Sequence, residues 1–143
     1  DLQDPGNLGT IVRTGEGAGV SAVFMTKNTV DIYNPKTIRA TMGSIYRVPF
    51  TIVEDIEEAI KAMKKAGIRT FAAHLDGKDY YDSFSFKEGT AFLIGNEGNG
   101  LKTSTANAAD AYLKIPMEGQ VESLNAAIAT SLLMYEAHRQ RKG

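Results

Sequence analysis

Residues 90–101 read Thr90-Ala91-Phe92-Leu93-Ile94-Gly95-Asn96-Glu97-Gly98-Asn99-Gly100-Leu101. A short apolar run bounded by turn formers is the pattern of a buried strand. Followed by a glycine-rich loop and a resumed helical period, it is the joint of an alternating α/β chain. Downstream, Leu101 to Ala108 is expected as a short helix and Ala111 to Ile115 as the next strand. Ser123 is a candidate cap for the last and longest helix, with Leu124, Ala127, Ile128, Leu132 and Tyr135 on one face. His138, Arg139, Arg141 and Lys142 follow, where the helix dipole favours cations.

Upstream, the same alternation repeats. Leu8, Ile11, Val12, Gly15 and Ala18 recur at helical spacing before an apolar run from Val20 to Met25. Asn34-Pro35 opens a helix to about Met42, with proline where its missing N–H costs nothing, and Val48 to Val53 is the next strand. Asp55 then caps a helix that turns Ile56, Ala59, Ile60 and Met63 inward and Lys61, Lys64 and Lys65 outward, and that Gly67 stops. Ile68 to Ala73 is a strand, and His74 to Gly89, without clear period, is expected as a loop. Strands that alternate with helices give a mostly parallel sheet flanked by helices, with ligands at the carboxyl ends of the strands.

Composition bounds the chemistry. The 143 residues, 43% hydrophobic, fit one domain, and a chain of this size buries roughly 70% of its unfolded surface. With no cysteine there is no disulfide or thiolate site, and two histidines make a zinc centre improbable. Asp76, Asp79 and Asp82 do not complete a calcium loop, because Lys78 and the missing terminal glutamate break it, so no metal is expected. No apolar run approaches the roughly 20 residues of a membrane span and no cationic leader is seen, so the expectation is a soluble cytoplasmic protein with no membrane partner. The net charge of −1 gives no global attraction to polyanions. A local basic face could come from Arg13, Lys36, Arg39 and Arg47, the last three equally readable as solvated surface charge.

Three segments concentrate small and polar residues at joints: Asp4-Pro5-Gly6-Asn7-Leu8-Gly9 with Arg13; Ile94-Gly95-Asn96-Glu97-Gly98-Asn99-Gly100; and Ile115-Pro116-Met117 with Ser123-Leu124-Asn125. Each has a plain structural reading. The first can be a tight loop and helix cap with a surface arginine, the second a bare loop, and Ser123 a cap. Asn125 in the first turn of an apolar helix needs a partner for its amide. His74, at a strand end, reads as hydrogen-bonded structure, and Gly15-Glu16-Gly17-Ala18-Gly19 follows a helix, which makes it a helix end and not a nucleotide loop. The second segment follows a strand but lacks both the G-x-G-x-x-G order and a Walker Lys-Ser/Thr pair, which excludes a dinucleotide fingerprint and a P-loop.

Taken together, in order and spacing, the three segments resemble the signature motifs of the SpoU/TrmH-type RNA 2′-O-ribose methyltransferases of the SPOUT superfamily. The resemblance covers residues 1–143. It implies an α/β fold with a C-terminal deep trefoil knot, a homodimer, S-adenosylmethionine as cofactor and RNA as substrate, rRNA before tRNA. It further implies catalytic roles for Asn7, Arg13, Glu97, Ser123 and Asn125. Cofactor contacts would come from His74, Leu75, Gly95, Asn96, Gly98, Ile115, Met117, Ser123, Leu124 and Ala126. Members of the family usually open this domain with an apolar strand, and many carry an N-terminal RNA-binding domain. The chain is therefore expected to be the catalytic domain of a longer protein, without its first strand. The competing reading is a noncatalytic RNA-binding or dimerisation module of the same fold.

Overall fold

The computed structural model describes residues 1–142. In chain order the elements are α1 (Pro5–Ala18), β1 (Val23–Thr26), α2 (Pro35–Thr41), β2 (Phe50–Val53), α3 (Ile56–Lys65), β3 (Arg69–Ala73), β4 (Thr90–Leu93), α4 (Thr103–Ala108), β5 (Ala111–Leu113) and α5 (Ala126–Lys142), with single 3-10 turns at Ser44–Tyr46 and Tyr81–Ser83.

The first segment is helix, not loop. The Asp4 side chain accepts from the Asn7 amide at 2.9 Å and Pro5 stands in the first turn, so α1 starts inside the motif. Gly6, Asn7 and Gly9 are all helical as a result. Gly9 is small because α2 crosses it: a Cβ there would lie 2.4 Å from the Ala40 Cβ and 2.6 Å from the Thr37 carbonyl oxygen. Gly19, at φ 83°, ends α1 by donating to the Glu16 carbonyl, and Val20 donates to Gly15 at 2.9 Å. Val20 is thus used in closing the helix, and β1 begins three residues later than the apolar run suggests.

All strand pairs are parallel, in two groups: β1 beside β2, and β4-β3-β5. The expected single sheet is divided, and residues 1–3 tie the parts together. The Leu2 carbonyl accepts from Val30 at 2.8 Å on one side, and the Asp1 carbonyl accepts from the Asn96 side chain at 2.8 Å on the other.

The core cluster beneath the β4-β3-β5 group joins Phe71, Phe86, Leu113 and Leu133. Phe86 meets Phe71 and Phe92 edge-to-face, each at 5.0 Å. Residues 74–89 have little regular structure, as expected, yet place Phe86 in the core with Tyr81 and Phe84 packed against it. The end of α5 holds them: Gln140 accepts from the Phe86 amide at 2.6 Å and donates to the Phe84 carbonyl at 3.0 Å, while Arg141 donates to the Phe86 carbonyl at 2.8 Å.

Two expectations for α5 are corrected. Ser123 does not cap it; the helix starts at Ala126 and the Asn125 side chain accepts from the Ala127 amide at 2.8 Å and the Ile128 amide at 3.2 Å. Ile128, Leu132 and Tyr135 do not face the core. They are 54%, 40% and 46% exposed, while Ala127, Thr130, Leu133, Met134 and Ala137 are buried. The helix carries apolar residues on more than one side, and the stripe with Ala127, Leu133 and Ala137 fits against α1 and the β4-β3-β5 group.

Candidate active site

The carboxyl ends of β3, β4 and β5 open onto one crevice of about 1170 Å³. That is on the order of the upper end of small-molecule sites, roughly 300–1,000 Å³. Its walls are the loops after the three strands, the first turn of α1 and the segment 122–126. Thirteen sequence candidates line it: Asn7, His74, Leu75, Gly95, Asn96, Glu97, Gly98, Ile115, Met117, Ser123, Leu124, Asn125 and Ala126. Arg13 does not. It stands exposed on α1, two turns beyond Asn7.

The loop after β4 is built by its own residues. Asn96 and Gly100 exchange backbone hydrogen bonds at 3.1 and 2.8 Å, and the Asn96 side chain accepts from the amides of Gly98 and Asn99. Gly95 has a steric reason to be glycine, since a Cβ there would fall 2.1 Å from backbone atoms of both Gly100 and Leu101.

The three motifs meet in a single chain of hydrogen bonds. Asn125, fixed by the backbone amides of Ala127 and Ile128, donates through Nδ2 to the Asn7 Oδ1 at 3.1 Å. Asn7 donates through Nδ2 to the Glu97 Oε2 at 3.4 Å. Glu97 also accepts from the backbone amides of Gln3 at 2.9 Å and Asp4 at 2.8 Å. A backbone N–H can only donate and an ionised carboxylate can only accept, so the two ends of this chain dictate the orientation of both amides between them. Asn125 is exposed and not buried as expected, but its amide is satisfied by Asn7. Burial, the largest single influence on the Glu97 carboxyl, pushes its pKa up; the hydrogen bonds from Gln3, Asp4 and Asn7 together outweigh it and hold it below the ordinary value.

His74 accepts from the Asp76 amide at 3.1 Å and stacks on Tyr112 at 4.8 Å, which gives it the structural role its loop position suggests while it still borders the crevice. Ser123 lines the crevice without capping α5. Sequence reasoning missed Gln3 and Asp4 as holders of Glu97, although the Asp4-Pro5 pair marks a helix cap. It also missed Tyr80 and Lys114, which meet by a backbone bridge between segments distant in sequence, a pairing with no local signal.

The donor set fits S-adenosylmethionine. Leu75, Ile94, Ile115, Met117 and Leu124 offer apolar wall for an adenine ring. Residues 115–124 form no helix or strand and, among the described residues, no backbone–backbone hydrogen bond, so their amides and carbonyls are open to a ligand. The charged lining is Asp4, Asp76, Glu97 and Glu122 against Lys114, an excess of negative charge suited to a sulfonium cation. Among the described residues no cluster of three or more His, Cys, Asp or Glu could hold a metal ion, and no helix is long and apolar enough to cross a membrane.

Comparison with known proteins agrees with this geometry. The chain is 35% identical over 134 residues to the 23S rRNA (guanosine(2553)-2′-O)-methyltransferase RlmP of Bacillus subtilis (strain 168), covering 94% of this chain and 54% of that protein. An AdoMet-bound rRNA methyltransferase from Sinorhizobium meliloti superposes with a TM-score of 0.91 at 40% identity, over 96% of this chain and 53% of its own. The SpoU methyltransferase AviRb from Streptomyces viridochromogenes, in complex with AdoMet, gives a TM-score of 0.91 at 33% identity over 99% and 56%. The chain thus spans about half the length of the relatives it matches. Residues 1–135 match the model of the SpoU rRNA Methylase family, and the chain belongs to that family.

Proposed function

We propose that the chain is the catalytic domain of an S-adenosylmethionine-dependent RNA methyltransferase that modifies a ribose 2′-hydroxyl, with rRNA as the first substrate and tRNA the second. The observation that carries the reading is the convergence of all three motifs on one acidic-rimmed crevice through the Asn125–Asn7–Glu97 hydrogen bonds. The likeness to RlmP supports ribose and rRNA as the target. Unbroken polar contacts among these residues favour catalysis over a noncatalytic module. The C-terminal trefoil knot and the homodimer belong to the same proposal.

In this reading Leu75, Ile115, Met117 and Leu124 hold the adenosine moiety against apolar wall, with backbone groups of Gly95, Asn96, Gly98, Ser123 and Ala126 available for its polar edge. When bound, S-adenosylmethionine supplies an electrophilic methyl group on a positively charged sulfur. Glu97 accepts from three donors that favour its ionised form and make it a weak base, and its part in this reading is to orient Asn7. Holding the ribose oxygen in place is the main contribution of the site, since positioning can supply roughly 7–11 kcal/mol of a barrier. Arg13 lies outside the crevice and contacts the ribose-phosphate of the RNA, where its planar guanidinium can hold a phosphate bidentately.

The test is calorimetric titration of S-adenosylmethionine into the purified chain, with Arg13→Ala alongside. We expect saturable binding, unchanged within about 3-fold by Arg13→Ala, roughly 0.6 kcal/mol. In the full-length parent the same substitution should abolish or sharply reduce methyl transfer to RNA. Absence of binding by the folded chain overturns the reading. Full transfer by the alanine variant removes Arg13 from the mechanism.

A further inference from the structure

The turn that joins α2 to β2 presents large side chains to solvent for which the fold itself has no use. Tyr46 is 85% exposed and Met42 67%. Met42 stands at φ 50° and Gly43 at φ 90°, so the chain holds a bulky residue in the left-handed region at the point where it projects. The turn is nonetheless fixed. Glu16 of α1 accepts from the Ser44 hydroxyl at 2.6 Å and from Arg47, and the Thr41 hydroxyl donates to the Ile38 carbonyl at 2.7 Å. Arg47, and after it Ser44, hold the Glu16 carboxyl down at about 2.

The surroundings are basic. Gly9, Arg13 and Glu16 recur at i, i+4 and i+7 on α1, one face of that helix. Gly9 touches Ala40 and Glu16 touches Ser44 and Arg47, so Arg13 lies between these two points of contact, beside the α2–β2 turn. Lys36 and Arg39 stand on the exposed side of α2, away from the buried Thr37 and Thr41, and Met42 is the exposed residue just past its end. The turn that carries Tyr46 packs against α1 and α2, which bear the exposed cations Arg13, Lys36 and Arg39; Arg47 follows Tyr46 directly, and the acid in contact with this turn, Glu16, is occupied by Arg47 and Ser44. In a chain of net charge −1, these elements bring exposed cations to the neighbourhood of an exposed aromatic ring.

We propose that this turn is a docking platform for single-stranded RNA, on which an unpaired base stacks against the Tyr46 ring while Arg13 and Arg39 meet the flanking phosphates. Aromatic rings interleaved with arginine are the means by which proteins hold splayed-out bases and their backbone, and stacking tolerates any base because each has a π face. The inference rests on the reading that the chain acts on RNA, and adds a site that lies outside the crevice.

The experiment measures fluorescence anisotropy of a labelled single-stranded RNA of mixed sequence with the purified full chain and four variants, alongside calorimetry with S-adenosylmethionine. Tyr46→Ala and Tyr46→Leu should weaken RNA binding by roughly 5- to 100-fold, while Tyr46→Phe stays within about 2-fold of the wild type. Arg39→Ala should weaken binding and reduce the salt slope by about one. S-adenosylmethionine affinity should not change in any variant. RNA affinity indifferent to Tyr46, or a wild type with no affinity for the strand, overturns the platform even where S-adenosylmethionine binds. RNA binding that depends on Tyr46 without S-adenosylmethionine binding supports the platform and removes the methyltransferase reading. A change in oligomeric state on Tyr46→Ala assigns the ring to a protein interface and overturns the proposal.

Discussion

Glu97 illustrates how a side chain can matter by holding another. Its oxygens accept from the amides of Gln3 and Asp4 and from the side chain of Asn7, three donors drawn from the segment that starts α1. These bonds keep the carboxyl pKa below its ordinary 4.5 against the opposing effect of burial. A depressed carboxyl pKa means that the unfolded chain binds the proton more readily than the folded one. The stabilisation from Glu97 is therefore fully present above about 4.5 and is lost as pH falls through the lower folded value. Glu97→Gln removes this titration. Urea unfolding at about pH 6 and about pH 3.5 should show a smaller acid-induced loss of stability in the variant than in the wild type. The loss should shrink without vanishing, because Glu16, Glu57, Asp110 and Glu136 are also depressed. An acid response identical to that of the wild type would show that the three donors do not favour the ionised form.

Elements show where pattern suffices and where it fails. The helix Ile56–Lys65 has its cap at Asp55, its buried Ile60, its outward lysines and its stop at Gly67 (φ 82°) where spacing predicts them, because each is a local property of the sequence. The Gly15–Gly19 run is likewise a helix end. The start of α5 is ambiguous in the sequence, because both Ser123 and Asn125 are good caps and only the Asn7 amide, 118 residues away in sequence, favours the second. The loop 74–89 hides its role for a similar reason: Phe86 has no regular element around it, and Gln140 and Arg141, which hold its backbone, lie at the other end of the domain. Phe86 is fully buried against Phe71 and Phe92, so Phe86→Ala leaves a void in the aromatic core cluster. The expected cost is roughly 3–5 kcal/mol, read as a lowered midpoint in denaturant unfolding. A loss below about 1 kcal/mol would mean that the loop rearranges to fill the space and that its fixation by α5 is weak.

At the scale of the whole molecule, the three motifs share one crevice with Arg13 outside it, in keeping with the expectation that Arg13 stands beside the RNA ribose-phosphate and not in the cofactor pocket, but a linear pattern does not tell which helix faces stay open. The same limit applies to the outer side of α5. Ile128, Leu132 and Tyr135 lie at i, i+4 and i+7, the spacing of a core face, yet they are exposed. Next to them, a Cβ on Gly17 of α1 would come within 2.8 Å of the Tyr135 hydroxyl, so the two helices form one continuous surface. An aligned apolar stripe of this kind marks a protein contact more often than bare surface. The contact proposed with the methyltransferase reading is a second copy of the chain packed through α1 and α5, and the stripe provides its apolar centre. Leu132→Glu puts a charge in that centre at a position that is 40% exposed in the single chain. Light scattering at roughly tens of micromolar should then give a dimer for the wild type and a monomer for the variant, with the circular dichroism of the two proteins alike. A wild type that remains monomeric at this concentration, or a variant that still dimerises, would require the stripe to serve some other contact and the dimer to form elsewhere.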